Sequence, residues 1–183
     1  MRNLKIVGLF CLSLLVFTAC SDDDTPDPVN EEEVITTLTV TLTPSGGGTA
    51  ITLRSQDLDG DGPNAPVVTV SGNLDNGVTY NGTIELLNET ESPAEDITEE
   101  VEDESDEHQF FYTIGGGLDV TATYTNFDSN SNPLGTAFDL AAGAASAGTL
   151  TFTLRHEPTK PNTGLADAGG ETDIAVTFNV TVQ

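Results

Sequence analysis

Short stretches in which apolar and polar residues alternate recur along most of this chain, and they restrict it to a fold built from β-strands. In the clearest stretch, TLTVTLT, the apolar residues Leu38, Val40 and Leu42 alternate with threonines. This period of two is the pattern of a strand that buries one face. Further stretches with strand character cover residues 49–54, 67–72, 77–88, 108–114, 118–127, 135–140, 148–156 and 172–182.

The turns between these stretches are rich in Gly, Asn and Pro. Such spacing is typical of an antiparallel sandwich of two sheets. We therefore predict an all-β fold, an immunoglobulin-like antiparallel β-sandwich over residues 34–183, with an up-and-down barrel as the alternative. The sequence lacks the Cys–Trp–Cys signature of true immunoglobulin domains and contains no Trp, so the predicted likeness is one of architecture only.

One acidic stretch, residues 92–108, breaks the strand pattern and predicts a short helical insertion. Ser92 is a suitable N-cap, and Pro93 suits the first helical position. Glu95 completes a capping box with Ser92. The apolar anchors of this stretch, Ile97 and Val101, are one helical turn apart, so we expect the helix to lie against the sandwich.

The chain is strongly acidic, with 30 Asp and Glu residues against 5 Lys and Arg residues and a formal net charge of −25. A surface of this charge repels the phosphate backbone, so we exclude nucleic acid as a partner. The same charge attracts cations, including divalent metals. Solubility is the alternative explanation for most of the charge.

A turn after the second strand-like stretch has the opening of a calcium loop. In DLDGDGPN, Asp57, Asp59 and Asp61 stand at alternate positions, as in calcium loops of EF-hand or dockerin type. Val68 occupies the position where the bidentate Glu belongs. The sequence therefore predicts either a weak calcium site or an ordinary acidic turn.

A second turn, FDSNSNPLG, repeats this spacing with Asp128, Asn130 and Asn132. Two of these three side chains are neutral, and fewer charges weaken calcium binding. For this turn we favour a plain connection between two strands.

The chain has two histidines, His108 and His156, and both stand at the ends of predicted strands on the face that meets the core. Glu104 and Glu107 precede His108 closely. Two imidazoles and a carboxylate suit zinc or copper. We predict a shared metal site if the two strand ends meet, with Glu104 or Glu107 as the third ligand. The alternative is two unrelated histidines that hydrogen-bond to nearby carboxylates.

The sequence shows no pattern typical of catalysis. It has no Ser–His–Asp arrangement at a recognisable spacing, no G-x-S-x-G motif and no phosphate-binding glycine loop. Its two Gly-Gly-Gly runs, at 46–48 and 115–117, fall in turns between strands. We therefore predict that the protein is not an enzyme.

The start of the chain predicts where the protein resides. Arg2 and Lys5 precede an apolar run at 6–17, which is the pattern of a secretory signal peptide. The run is shorter than the roughly 20 residues that a membrane-spanning helix needs. Small residues then lead directly to Cys20, and this stretch resembles a bacterial lipobox. The resemblance implies that residues 1–19 are removed and that Cys20 is lipidated.

The residues after Cys20 extend this resemblance. Ser-Asp-Asp-Asp at 21–24 is similar to the export signal of surface lipoproteins in Bacteroidota. The similarity implies attachment to the outer face of the outer membrane and a TonB-dependent receptor as a partner. Residues 20–33 form the lipidated cysteine and an acidic tether in this interpretation. Cys11 leaves with the signal peptide, so the mature domain has no cysteine for a disulfide or a thiolate site.

Two functions are compatible with these features. The first is a surface-anchored lipoprotein, without enzymatic activity, that captures a zinc or copper ion for an outer-membrane transporter. The second is a structural or adhesive β-sandwich module that calcium stabilises. Tight, histidine-dependent binding of zinc or copper distinguishes the first from the second.

Overall fold

The computed structural model describes residues 33–60 and 62–183, and these residues are mostly β. The predicted Cys20, the export signal and Asp61 lie outside them. The described strands and helices are, in chain order, β1 (Thr37–Pro44), β2 (Ile51–Gln56), β3 (Val67–Val70), β4 (Thr79–Asn88), β5 (Glu95–Asp96), α1 (Ile97–Asp103), β6 (His108–Gly115), β7 (Val120–Tyr124), β8 (Ala137–Ala142), β9 (Ser146–His156), α2 (Leu165–Ala168) and β10 (Glu171–Val182). Neither helix is long and apolar enough to cross a membrane.

The strands form two separate antiparallel sheets. The larger sheet has the order β3-β2-β1-β4-β8-β7, and the two-residue β5 pairs with β4. The smaller sheet has the order β10-β9-β6. The predicted all-β sandwich of two antiparallel sheets is therefore confirmed, and the barrel alternative is wrong because the strands do not close into one sheet.

The two sheets share one hydrophobic core. Leu38, Val40 and Leu42 of β1 are completely buried, as their alternation with threonine predicts. Phe138 of the larger sheet meets Phe152 of the smaller sheet with ring centroids 5.7 Å apart. Aromatic rings at this separation pack favourably across a core, so the inner faces of the sheets hold each other in place.

The helix begins later than the sequence predicts, and Ser92 as its N-cap is wrong. Glu95 and Asp96 pair with the end of β4 as strand β5, so the helix cannot begin before them. The observed cap is Asp96, whose carboxylate accepts a hydrogen bond of 3.0 Å from the backbone N–H of Thr98. Ile97 and Val101 are buried in the shared core, so α1 lies against the sandwich through these two anchors.

Candidate functional site

The strand pairing of the smaller sheet brings the two histidines together. His108 is the first residue of β6 and His156 is the last residue of β9, and the antiparallel register places them directly opposite each other. Their ring centroids are 4.6 Å apart. Only 0% and 6% of the two side chains is exposed. The strand ends therefore meet, which the predicted shared site requires.

Glu33 brings a carboxylate between the two imidazoles. Its side chain is only 4% exposed, although the sequence places this residue in the tether. Oε1 lies 2.9 Å from Nε2 of His108, and Oε2 lies 3.8 Å from Nδ1 of His156. Because Glu33 leads into β1 of the larger sheet, its carboxylate joins the two sheets at this end of the sandwich.

Asp173 adds a second carboxylate through an irregularity in β10. The register pairs Thr172 with Arg155 and Ile174 with Leu154, which leaves Asp173 as an extra residue between them. Such a bulge redirects a side chain that strict alternation would place elsewhere. The potential ligand atoms of Asp173, Glu33, His108 and His156 all lie within 4.8 Å of one another.

The hydrogen bonds of His108 determine how its ring can bind an ion. Nδ1 is 3.2 Å from the backbone carbonyl oxygen of Glu104, which is only an acceptor, so Nδ1 carries a hydrogen. Nε2 faces the Glu33 carboxylate. Without a metal ion, one proton must lie between Nε2 and Oε1. A metal ion that replaces this proton meets an imidazole already oriented by a carbonyl, as in many protein zinc sites.

The two predicted carboxylate ligands have different positions. The side chain of Glu104 is exposed and is not part of the group around Glu33, and this residue acts through its backbone carbonyl. Glu107 Oε2 lies 3.9 Å from Nε2 of His156, and 54% of its side chain is exposed. Glu107, His156 and Glu157 form a second group of ligand atoms within 4.8 Å of one another.

Lys160 holds the backbone around His108 in place through hydrogen bonds. Its ammonium donates hydrogen bonds to the carbonyl oxygens of Ser105, at 2.6 Å, and of His108, at 2.5 Å. It also lies 3.4 Å from Oδ2 of Asp128. Burial lowers the pKa of Lys160, and the charge of Asp128 opposes this effect. Lys160 therefore ties the segment after α1 to the turn that contains Asp128.

The loop that contains Asp128 is a turn whose backbone N–H groups donate hydrogen bonds to the Asp128 carboxylate. The side chain of Asp128 is fully buried, and Oδ1 accepts hydrogen bonds from the backbone N–H groups of Asn130, at 2.9 Å, and Asn132, at 2.8 Å. Burial raises the pKa of Asp128, but the hydrogen bonds from Asn132 and Asn130 and the charge of Lys160 together lower it. The structure thus has the plain turn that the sequence favours here.

The Asp57 loop gathers few ligand atoms within the described residues. Asp59 is exposed, and its Oδ2 accepts hydrogen bonds from the backbone N–H of Asn64, at 3.3 Å, and from its side-chain amide, at 2.7 Å. Over residues 33–60 and 62–183, neither Asp57 nor Asp59 belongs to a group of three potential metal ligands. Because Asp61 lies outside these ranges, calcium binding stays a prediction.

The surface beside the site carries negative charge. The residues that line a cleft of about 520 Å³ along α1 are all acidic: Glu95, Asp96, Glu99, Glu100, Asp103 and Glu104. Burial, followed by the charges of Glu33 and Glu104, raises the pKa of Glu100. The negative charges that line this cleft also attract cations.

Comparisons of the chain with protein-family models, with curated proteins and with solved structures found no match. A function for the chain therefore has to be inferred from the chemistry of the site.

Proposed function

We propose that this chain is a surface-anchored lipoprotein, without enzymatic activity, that captures a zinc or copper ion in its sandwich domain for an outer-membrane transporter. The ligands are the Glu33 carboxylate, the imidazoles of His108 and His156, and the Asp173 carboxylate. Two of these four residues, His108 and His156, are among the metal ligands that the sequence predicts.

The observation that carries the proposal is a buried oxygen of the Glu33 carboxylate that accepts no hydrogen bond from the part of the chain that the structure describes. Oε2 of Glu33 is buried and has no hydrogen-bond partner among the described residues. A buried carboxylate oxygen without a partner costs roughly 1–3 kcal/mol or more, because it has lost its water. A metal ion between Glu33 and the imidazoles removes this cost and supplies the opposite charge.

The distances suit an ion of the proposed size. Two ligands with zinc bonds of about 2.0–2.1 Å lie about 3.3–3.4 Å apart in a tetrahedral site. The observed separations of Glu33 from His108 and His156 are 2.9 Å and 3.8 Å, on either side of this value. Two nitrogen and two oxygen ligands suit zinc, and they also suit copper(II).

The proposed location rests on the sequence of residues 1–24, which resembles the start of surface lipoproteins. Lipidation of Cys20 would attach the domain to the outer membrane, and a TonB-dependent receptor is the partner that this resemblance implies. We also propose that the sandwich is of immunoglobulin-like type. Its two antiparallel sheets and the core between them support this proposal.

Calorimetric titration of the mature protein with zinc chloride tests the proposed function. We expect one ion per chain, with most of the affinity lost in His108→Ala, in His156→Ala and in Glu33→Gln. Glu33→Gln preserves the shape of the side chain and removes its charge. The matched control is Glu85→Gln, an exposed position on β4, which should bind zinc like the wild type.

Two results would reject the proposal: a wild-type protein that binds no zinc or copper, or histidine variants that bind as tightly as the wild type. A parallel titration with calcium chloride addresses the structural or adhesive alternative. Calcium binding that is lost in Asp59→Ala, without any binding of zinc or copper, would favour that alternative.

A further inference from the structure

We infer that Glu107 and Glu157, together with Nε2 of His156, form a second, solvent-facing cation position that loads the buried site. This inference rests on the proposed metal site and adds to it the route by which an ion arrives. It assigns Glu107 a role in loading and not in the final ligand set.

One imidazole belongs to both groups of ligand atoms. Nδ1 of His156 lies 3.8 Å from Oε2 of Glu33, on the buried side. Nε2 of the same ring lies 3.9 Å from Oε2 of Glu107, on the outer side. Because the two nitrogens of an imidazole point in different directions, His156 lies between the outer group and the buried group.

The two groups differ sharply in exposure. The side chains of Glu33, His108 and His156 are 4%, 0% and 6% exposed, so a hydrated ion has little direct access to them. Glu107 is 54% exposed, and Glu157 is also exposed. Among the described residues, the outer group offers solvent-exposed carboxylates that share a ligand with the buried site. An ion held there exchanges part of its water shell for carboxylate oxygens before it moves inward. As its bond to His156 changes from Nε2 to Nδ1, exchange with water transfers the ring hydrogen from Nδ1 to Nε2.

The backbone holds Glu107 and Glu157 side by side. The N–H of Glu157 donates a hydrogen bond of 2.6 Å to the carbonyl of Glu107. Glu157 has a φ of 48°, in the left-handed region that residues other than glycine rarely adopt. Gly170 lies against the carbonyl oxygen of His156 and the backbone of Glu157, where a side chain would collide. The glycine directly before β10 thus leaves room for this conformation.

The charges of the outer group favour a cation. Two carboxylates near one imidazole repel each other, and a bound cation removes that repulsion. Carboxylates at the opening of a buried site also raise the local concentration of cations and increase association rates. Because Glu107 and Glu157 lie next to the shared histidine, an ion attracted by them is already at the edge of the buried group.

Stopped-flow mixing of the mature protein with zinc chloride, followed with a chromogenic zinc indicator, tests the inference. The variant is Glu107→Gln/Glu157→Gln. The control is Glu85→Gln/Glu91→Gln, which removes the same charge from two exposed positions outside both groups of ligand atoms. We expect the association rate constant of the variant to fall roughly tenfold or more below that of the control, within the range that local electrostatic attraction produces.

The dissociation rate constant should also fall, because ions leave through the same position. The equilibrium affinity should therefore fall by less than the association rate constant does, since the two carboxylates attract the bound ion as well. Loading at the rate of the control would overturn the inference and leave the proposed function intact. A loss of equilibrium affinity with an unchanged association rate would also overturn it, because Glu107 or Glu157 would then be a ligand of the final site. A wild-type protein that binds no zinc contradicts the proposed function and this inference together.

Discussion

At the scale of single residues, the proposed metal binding predicts a pH dependence through the hydrogen bond between Glu33 and His108. Nδ1 of His108 donates to the Glu104 carbonyl, so the proton shared by Nε2 and Oε1 of Glu33 has to leave when a metal ion binds. We expect zinc binding to release about one proton from this pair and to weaken as the pH falls. Calorimetry in buffers with different ionisation enthalpies measures this release.

Glu33→Gln is the matched variant for this experiment, because its neutral amide cannot share that proton. At zinc concentrations that saturate both proteins, the number of protons released per bound ion should be smaller in Glu33→Gln than in the wild type. A binding enthalpy of the wild type that is the same in every buffer would contradict this account of the His108 ring.

The sequence predicts the two histidines but not their carboxylate partners. His108 and His156 are recognisable because each ends a strand-like stretch on its apolar face. Glu33 is the last residue of an acidic run, and nothing in that run distinguishes it from Glu31 or Glu32. Its place in the site depends on how the chain enters β1, which is a tertiary contact without a local sequence signal.

At the scale of strands and helices, alternation predicts where the strands are but not how they pair. The nine predicted strands are all present, with bounds that differ by at most three residues. The opposition of His108 and His156 depends on the register of β6 and β9, which distant parts of the chain set together. The bulge that leaves Asp173 as an extra residue likewise has no marker such as Gly in the sequence.

The start of α1 shows a local signal that tertiary structure overrides. Ser92, Pro93 and Glu95 form a plausible helix start in isolation. Glu95 and Asp96 instead form a short strand that pairs with Leu87 and Asn88 at the end of β4. This pairing satisfies backbone hydrogen-bonding groups of both segments. Asp96 then provides both the end of the strand and the cap of the helix.

The Asp128 carboxylate should make the protein less stable to unfolding at acid pH. Its lowered pKa means that it stabilises the fold above the ordinary Asp pKa of about 3.9, and that this contribution is lost as the pH falls through the lowered value. We expect Asp128→Asn to lower the free energy of unfolding by about 1–3 kcal/mol at pH 7, because it weakens buried hydrogen bonds to a charged group. Urea unfolding at several pH values measures the difference.

The difference between the wild type and Asp128→Asn should shrink as the pH falls below about 4, because the carboxylate of the unfolded state then takes up a proton before that of the folded state does. Asp103→Asn, at an exposed position on α1, is the control and should stay within about 0.5 kcal/mol of the wild type. A difference that remains constant from neutral to acid pH would show that charge is not the reason for the effect of Asp128.

The pairing of β4 with β8 depends on a glycine beneath an aromatic ring. Gly82 lies opposite Phe138 in the register, and a Cβ at Gly82 would be 2.5 Å from Cζ of that ring. Phe138 is only 1% exposed and has little room to move. We expect Gly82→Ala to lower the free energy of unfolding by about 1–3 kcal/mol through overpacking.

Thermal or urea unfolding of Gly82→Ala against Gly46→Ala measures this effect. Gly46 lies in a turn, and a Cβ there would have no atom within 4 Å, so the control should unfold almost like the wild type. Equal stability of the two variants would mean that the Phe138 ring moves aside without cost.

At the scale of the whole molecule, the membrane anchor is a prediction from the sequence. Cys20 is the cysteine that remains after removal of residues 1–19, so Cys20→Ser should abolish acylation and release the protein from membranes. Metabolic labelling with a fatty acid measures this change, and equal labelling of the variant and the wild type would reject the lipoprotein prediction. Replacement of Asp22, Asp23 and Asp24 with Ala should leave acylation intact but reduce digestion by protease added to whole cells.

The predicted anchor and the proposed metal site are close in the chain. Glu33, a proposed ligand, is separated from Cys20 by only the predicted tether. Its carboxylate joins the larger sheet, through β1, to histidines of the smaller sheet. A metal ion bound by Glu33 and the two histidines would therefore connect the larger sheet to the smaller sheet. Ligand binding to the folded state alone would also stabilise the protein, by about 2.7 kcal/mol at a free concentration one hundred times the Kd.

The most direct test of the central claim is a crystal structure of the zinc-loaded protein with an anomalous difference map measured at the zinc absorption edge. We expect one strong peak between Glu33, His108 and His156, at about 2.0–2.1 Å from Nε2 of His108, with the Nδ1 hydrogen bond to the Glu104 carbonyl retained. A strong peak elsewhere in the molecule, or clear density for Glu33 and both imidazoles with no peak between them, would contradict that claim.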